Sequence, residues 1–178
     1  VAEKLKENDY NVVCTVRSEN NVTKIPGCKY IACDITDSQQ STKLSKCLSS
    51  VDYIISCIGS RTGCVKDSWK VEYSANLNLL NLAKQNTITQ FLLLSAICVQ
   101  KPRLEFQYAK LAFEKELLNS EVPFTIVRPT AFFKSLSGQI ERLRKGKKFV
   151  IFDNGKTTYC KPISESDLAS FIVQCLGS

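Results

Sequence analysis

The chain has no histidine, which removes the commonest nitrogen ligand of zinc. Its nine cysteines, Cys14, Cys28, Cys33, Cys47, Cys57, Cys64, Cys98, Cys160 and Cys175, form no C-x-x-C pair, so their spacing writes neither a zinc ribbon nor a dithiol redox motif. No metal site is expected. Several of these thiols stand in apolar, strand-like runs, where cysteine serves as a small buried hydrophobe, and a reducing compartment follows. No apolar run approaches the ~20 residues that cross a bilayer. The longest, FLLLSAICV, has the length of a buried strand, and only peripheral membrane contact is left open. No linker rich in proline, glycine or serine and no repeat divides the chain, so residues 1–178 read as one domain.

Positive charge exceeds negative by 7, and much of the excess lies in RLRKGKK, Arg142 to Lys148. No aromatic interrupts that cluster, so it reads as a solvated basic turn and not as a nucleic-acid surface. Elsewhere strand-like and helical patterns alternate. Strands are expected at NVVCTVR, KYIACD, VDYIISC, QFLLLSA, FTIVRP and KFVIF. Helices are expected up to about Asn8, near Ser38 to Leu48, near Ser68 to Lys84, around Phe106, briefly from Phe132, and from Glu165 to Cys175. Apolar strands joined by helices of this length imply an α/β fold with a doubly wound parallel sheet.

Such sheets bind nucleotides beyond the carboxyl ends of their strands. Arg17, Asp34, Cys57 to Ser60, Ser95 and Arg128 to Thr130 all fall at strand ends. One expected part is missing. No G-x-G-x-x-G occurs, and the first helix is already under way at Val1. The first strand and glycine-rich loop of a dinucleotide fold are therefore read as absent, the chain as truncated, and a gap is expected between NVVCTVR and VDYIISC, where that strand would be central.

Arg17 ends NVVCTVR, where an acidic residue would hold the ribose hydroxyl of NAD and an arginine suits the 2′-phosphate of NADP. Asp34 is placed either to accept from an adenine amino group or to cap the following turn. SCIGSR turns at Gly59, where backbone can approach a ligand closely. Ser95 ends FLLLS and suits a hydrogen bond to nicotinamide, a nearby ribose or a substrate. In EFQYAKLAFEKELL, Tyr108 lies about 200° around the helix from Lys110. The lysine shares its face with Phe106 and Phe113 instead. Lys110 either holds nicotinamide-ribose hydroxyls, or pairs with Glu114 one turn on; the surrounding strands favour the first. Phe132 and Phe133, with Trp69 and Tyr73, are candidates for a flat substrate slot.

The segments SAICVQKP, EFQYAKLAFEKEL, FTIVRPTAFFKSL and KPISESDLASF, with RTGCVKDSWK, resemble the divinyl chlorophyllide 8-vinyl reductases. These are atypical short-chain dehydrogenases of the NmrA-like NAD(P)-binding kind, with a Rossmann-like fold. The resemblance runs from Asn11 to Cys175. It implies Arg17 at the NADP phosphate, Asp34 and Ile35 at adenine, Cys57 and Gly59 on the pyrophosphate side, and Ser95 and Lys110 at the nicotinamide end. It also places Pro129, Thr130 and Phe132 on the nicotinamide-facing loop, and Asn78 as a helix asparagine supporting the site. The implied activity is NADPH-dependent reduction of the 8-vinyl group of a divinyl tetrapyrrole pigment, in the chloroplast stroma or a bacterial cytoplasm, with Lys110 as the catalytic residue. The superfamily's usual tyrosine four residues before the lysine is replaced by Phe106. A vinyl group conjugated to a macrocycle spreads the charge left by hydride addition, so that hydroxyl is dispensable. A non-catalytic NADP-binding regulator and a reductase of another conjugated alkene are the competing readings.

Overall fold

The computed structural model describes residues 1–18, 22–41, 44–45, 50–151, 154, 156 and 159–177. Among the described residues five parallel strands fall into two sheets. β1 (Val13–Val16) pairs with β2 (Lys29–Ala32), and β3 (Tyr53–Ser56), β4 (Gln90–Leu94) and β5 (Phe124–Val127) form the second sheet in that order. Among the described residues β1 and β3 share no ladder. The expected gap is present, and it is a groove whose walls include Val13, Thr15, Tyr53 and Ile55.

Alternation along the strands explains the layers, because successive side chains point to opposite faces. Ile54, Phe91 and Leu93 pack with Leu79, Leu80, Ala83, Phe113 and Leu117 on one face. On the other face Leu92 and Val127 meet Leu168 and Ile172, with Ile55, Leu94 and Val1 beside them. The first face is covered by α4 (Ala75–Lys84) and α5 (Glu105–Leu118), the second by α1 (Ala2–Glu7) and α7 (Glu165–Gln174). The sheet is doubly wound, as the alternation of patterns predicts.

Local chemistry sets the helix starts. Ser164 accepts the Asp167 N–H at 2.9 Å and begins α7, and the Gln107 side chain reaches back to the Arg103 and Leu104 N–H groups to begin α5; both satisfy donors that a helix start leaves free. The helix expected from Ser68 begins earlier. α3 (Val65–Ser68) runs through a π turn (Trp69–Ser74) into α4. A turn closed by i→i+5 bonds is wider than an α turn, so residues four apart stay more nearly in line. Ser68, Glu72 and Asn76 thus form a polar stripe on the buried side, each at most 2% exposed.

Two expected elements differ. Residues 148–151 of the KFVIF segment form no strand: the Val150 N–H donates to the Gln139 side chain at 3.1 Å and not to a ladder, and Phe149 and Ile151 are exposed; Phe152 lies outside the described residues. The helix α2 (Ser38–Ser41) is described, while most of its expected continuation to Leu48 also lies outside them. The short helix from Phe132 is in fact α6 (Phe133–Arg144), twelve residues long.

Candidate dinucleotide site

At the carboxyl ends of β1, β2 and β3 lies a cleft of about 460 Å³ that brings together Arg17, Asp34, Ile35 and Gly59 with Thr36, Arg61 and Asp67. Asp34 Oδ1 accepts from the Thr36 N–H at 3.0 Å and hydroxyl at 2.7 Å, so this carboxylate caps its turn while also lining the cleft. Those bonds, with help from the Arg17 and Lys70 charges, hold its pKa below the usual value. Ile35 is fixed from behind by Asn78, whose side-chain amide donates to the Ile35 carbonyl at 2.8 Å. Asn78 therefore serves this end of the site. Arg17 is exposed and makes no hydrogen bond or ion pair among the described residues.

The far wall of the cleft is organised by Asp67. Its Oδ2 accepts from the Ser60 and Thr62 hydroxyls at 2.6 and 2.8 Å, which lowers its pKa to about 2. A depressed folded pKa contributes stability that is present above the unfolded value near 3.8 and lost as pH falls through about 2. The loop is thus tied in its observed form throughout the neutral range.

A second constellation lies at the ends of β3, β4 and β5. Lys110 is 9% exposed, and its Nζ stands 2.7 Å from Glu72 Oε2 and 3.5 Å from the Leu94 carbonyl. Glu72 Oε1 accepts the Ser60 N–H at 2.7 Å. Asn76 accepts from the Ser56 hydroxyl at 2.5 Å and donates to the Glu72 carbonyl at 2.8 Å. Ser95 is 5% exposed, and its Oγ has no partner among the described residues. The alternative partner for Lys110, Glu114, is engaged elsewhere: Arg128 grips it with Nε at 3.1 Å and a second contact from Nη2. That pair raises the arginine pKa and fixes the start of RPT against α5. Cys57 lines the groove between β1 and β3 and is exposed there.

Pro129 accepts the Ile97 N–H at 3.0 Å, joining the loops after β4 and β5. Thr130 donates to the Lys161 carbonyl at 2.5 Å, and Phe132 bridges to Ile163 and packs on the second core. The four candidate slot rings divide into two pairs. Trp69 meets Tyr73 edge-on at 5.8 Å, and their polar atoms bond to Glu105 at 2.9 Å and Glu116 at 3.1 Å on α5. Phe132 and Phe133 lie beside Ile163, with Phe133 exposed.

A family model described as NAD(P)H-binding matches residues 1–178. The chain belongs to this NAD(P)H-binding family. Its relatives include "Divinyl chlorophyllide a 8-vinyl-reductase, chloroplastic" from Cucumis sativus, 44% identical over 100% of this chain. The protein of that name from Arabidopsis thaliana is 42% identical over 99%. The chain spans 46% of the length of each. Among solved structures, a UDP-glucose 4-epimerase from Thermotoga maritima aligns over 98% of this chain and 68% of its own, with a TM-score of 0.82 at 15% identity; that likeness concerns the fold. Two features of this NAD(P)H-binding chain suit a nicotinamide dinucleotide. The cleft sits where parallel sheets take nucleotides, and the orphaned Ser95 Oγ is a buried polar atom that calls for a partner.

Among the described residues no group of side chains is arranged to hold a metal ion, and no helix is long and apolar enough to cross a membrane.

Proposed function

We propose that the protein reduces the 8-vinyl group of divinyl chlorophyllide or protochlorophyllide to ethyl, using NADPH, in the chloroplast stroma. The observation that carries this reading is the 42–44% identity, over essentially the whole chain, to chloroplastic reductases of that name. Arg17 takes the 2′-phosphate, Asp34 and Ile35 the adenine, and the Cys57 to Gly59 backbone the pyrophosphate. Ser95 Oγ and Lys110 Nζ hold the nicotinamide end, with Pro129, Thr130 and Phe132 forming the loop that faces it. Trp69, Tyr73 and Phe133 remain the candidates for contact with the flat pigment.

Held by Arg17, Asp34, Ser95 and Lys110, NADPH would supply a hydride for the terminal vinyl carbon. The negative charge left behind is delocalised over the macrocycle, and a proton from water or another acid completes the ethyl group. The protein's part is positioning and exclusion of water. Phe106, half-buried four residues before Lys110, offers no proton, and a reaction that develops no alkoxide asks for none.

Incubation of the full-length protein with NADPH and divinyl chlorophyllide is expected to shift the Soret band to the blue as conjugation is lost. NADPH binding without that shift would favour the non-catalytic regulator, the reading to which Phe106 also lends itself, or a reductase of another conjugated alkene. The proposed cofactor choice has its own test. Arg17→Ala should lower kcat/KM for NADPH by about 10- to 100-fold, the worth of a charge-assisted phosphate contact, while leaving the value for NADH nearly unchanged.

A further inference from the structure

The 8-vinyl reductase reading gives Lys110 a task but does not say what holds it to that task. A buried ammonium needs a fixed anionic partner, and here the partner lies on another helix. Glu72 is 2% exposed on the π turn. One of its oxygens faces Lys110 Nζ at 2.7 Å, and the other accepts the Ser60 N–H at 2.7 Å. Its own carbonyl accepts from Asn76, which in turn binds Ser56 at the end of β3. The Glu72 carboxylate therefore touches both halves of the site, the lysine beneath the nicotinamide end and the turn after Gly59 on the pyrophosphate side.

We propose that Glu72 is a positioning residue that locks Lys110 and the Gly59–Ser60 turn into one unit, so that seating the dinucleotide phosphates and orienting the lysine are a single event. The inference rests on the nicotinamide-end role of Lys110. Three observations support it. The wider π turn keeps Ser68, Glu72 and Asn76 in line on the buried side. The two carboxylate oxygens face different groups: Oε2 stands 2.7 Å from Lys110 Nζ as an ion pair without a hydrogen bond, and Oε1 accepts the Ser60 N–H. Glu114, the acidic residue that sequence spacing offers to Lys110, is taken by Arg128, which leaves Glu72 as the carboxylate paired with the lysine among the described residues.

The test is a double-mutant cycle on the full-length protein, with the Kd for NADPH read by cofactor fluorescence and folding checked by thermal melting. Glu72→Ala and Lys110→Met should each weaken NADPH by about tenfold, and the double variant should bind no more weakly than the worse single one, because residues acting as one unit are not additive. Glu72→Gln keeps an oxygen for the Ser60 N–H but loses the charge. It should weaken NADPH and lower kcat together, though less than Glu72→Ala, because the two halves of the site act as one unit; a Glu72→Gln variant that loses kcat with an unchanged Kd would show that the halves are separate. Effects that multiply in the double variant, or a folded Glu72→Ala with unchanged Kd, would overturn the proposal. Normal NADPH binding by Lys110→Met would instead remove the role assigned to the lysine. Wild-type protein that binds NADPH but leaves the pigment unreduced would defeat the 8-vinyl reading while the Kd cycle still judged Glu72.

Discussion

Arg128→Met is expected to cost about 3 kcal/mol of stability, the lower end of the range for stranding one member of a buried ion pair. The side chain of Glu114 is 1% exposed, whereas that of Arg128 is 34% exposed. Removing the arginine leaves a carboxylate in the core with no partner. Removing the glutamate leaves an arginine that still reaches water, so Glu114→Gln should cost less, about 1–2 kcal/mol. Replacing both residues, Arg128→Met with Glu114→Leu, should recover most of the loss, because apolar groups of similar volume need no partner. Urea unfolding of the full-length protein measures all three variants. A double variant as unstable as Arg128→Met would show that Arg128 acts through other contacts.

Lys110→Arg should reduce turnover by on the order of 100-fold, the scale of a positioning error at a reacting centre, with little loss of fold. The substitution keeps the charge that Glu72 requires, but a planar guanidinium cannot repeat the compact geometry of an ammonium. Lys110→Met should lose at least as much activity and also stability, because Glu72 would then be buried without its cation. Comparing rate per folded molecule in the two variants separates chemistry from folding. Near-normal turnover in Lys110→Arg would mean that charge alone suffices at this position.

Much of this arrangement is legible in the sequence. The alternation of apolar runs marks all five described strands, and the carboxyl ends of the first three mark residues of the cleft: Arg17 after β1, Asp34 after β2 and Gly59 after β3. The absence of a glycine-rich turn foretells the groove between β1 and β3. Helical spacing correctly removes Tyr108 from Lys110, but it also offers Glu114 as a partner, and there tertiary geometry overrides local spacing. The true partner lies 38 residues earlier on a helix whose π turn nothing in the composition announces. A trace exists all the same: Ser68, Glu72 and Asn76 recur every fourth residue, a polar stripe within an otherwise apolar helix face. The Asn76 and Asn78 roles show the same limit. Both stand in SANLNLL, and only packing separates the one that binds Ser56 from the one that holds Ile35.

The most direct measurement is the fate of the hydride. The full-length protein, NADPH deuterated at the transferred position of the nicotinamide, and divinyl chlorophyllide should yield a monovinyl pigment carrying a single deuterium in the methyl of its new ethyl group, read by mass spectrometry and NMR. Deuterium in the adjoining methylene, an unlabelled ethyl group, or pigment left unreduced by protein that binds NADPH would contradict hydride delivery to the terminal vinyl carbon.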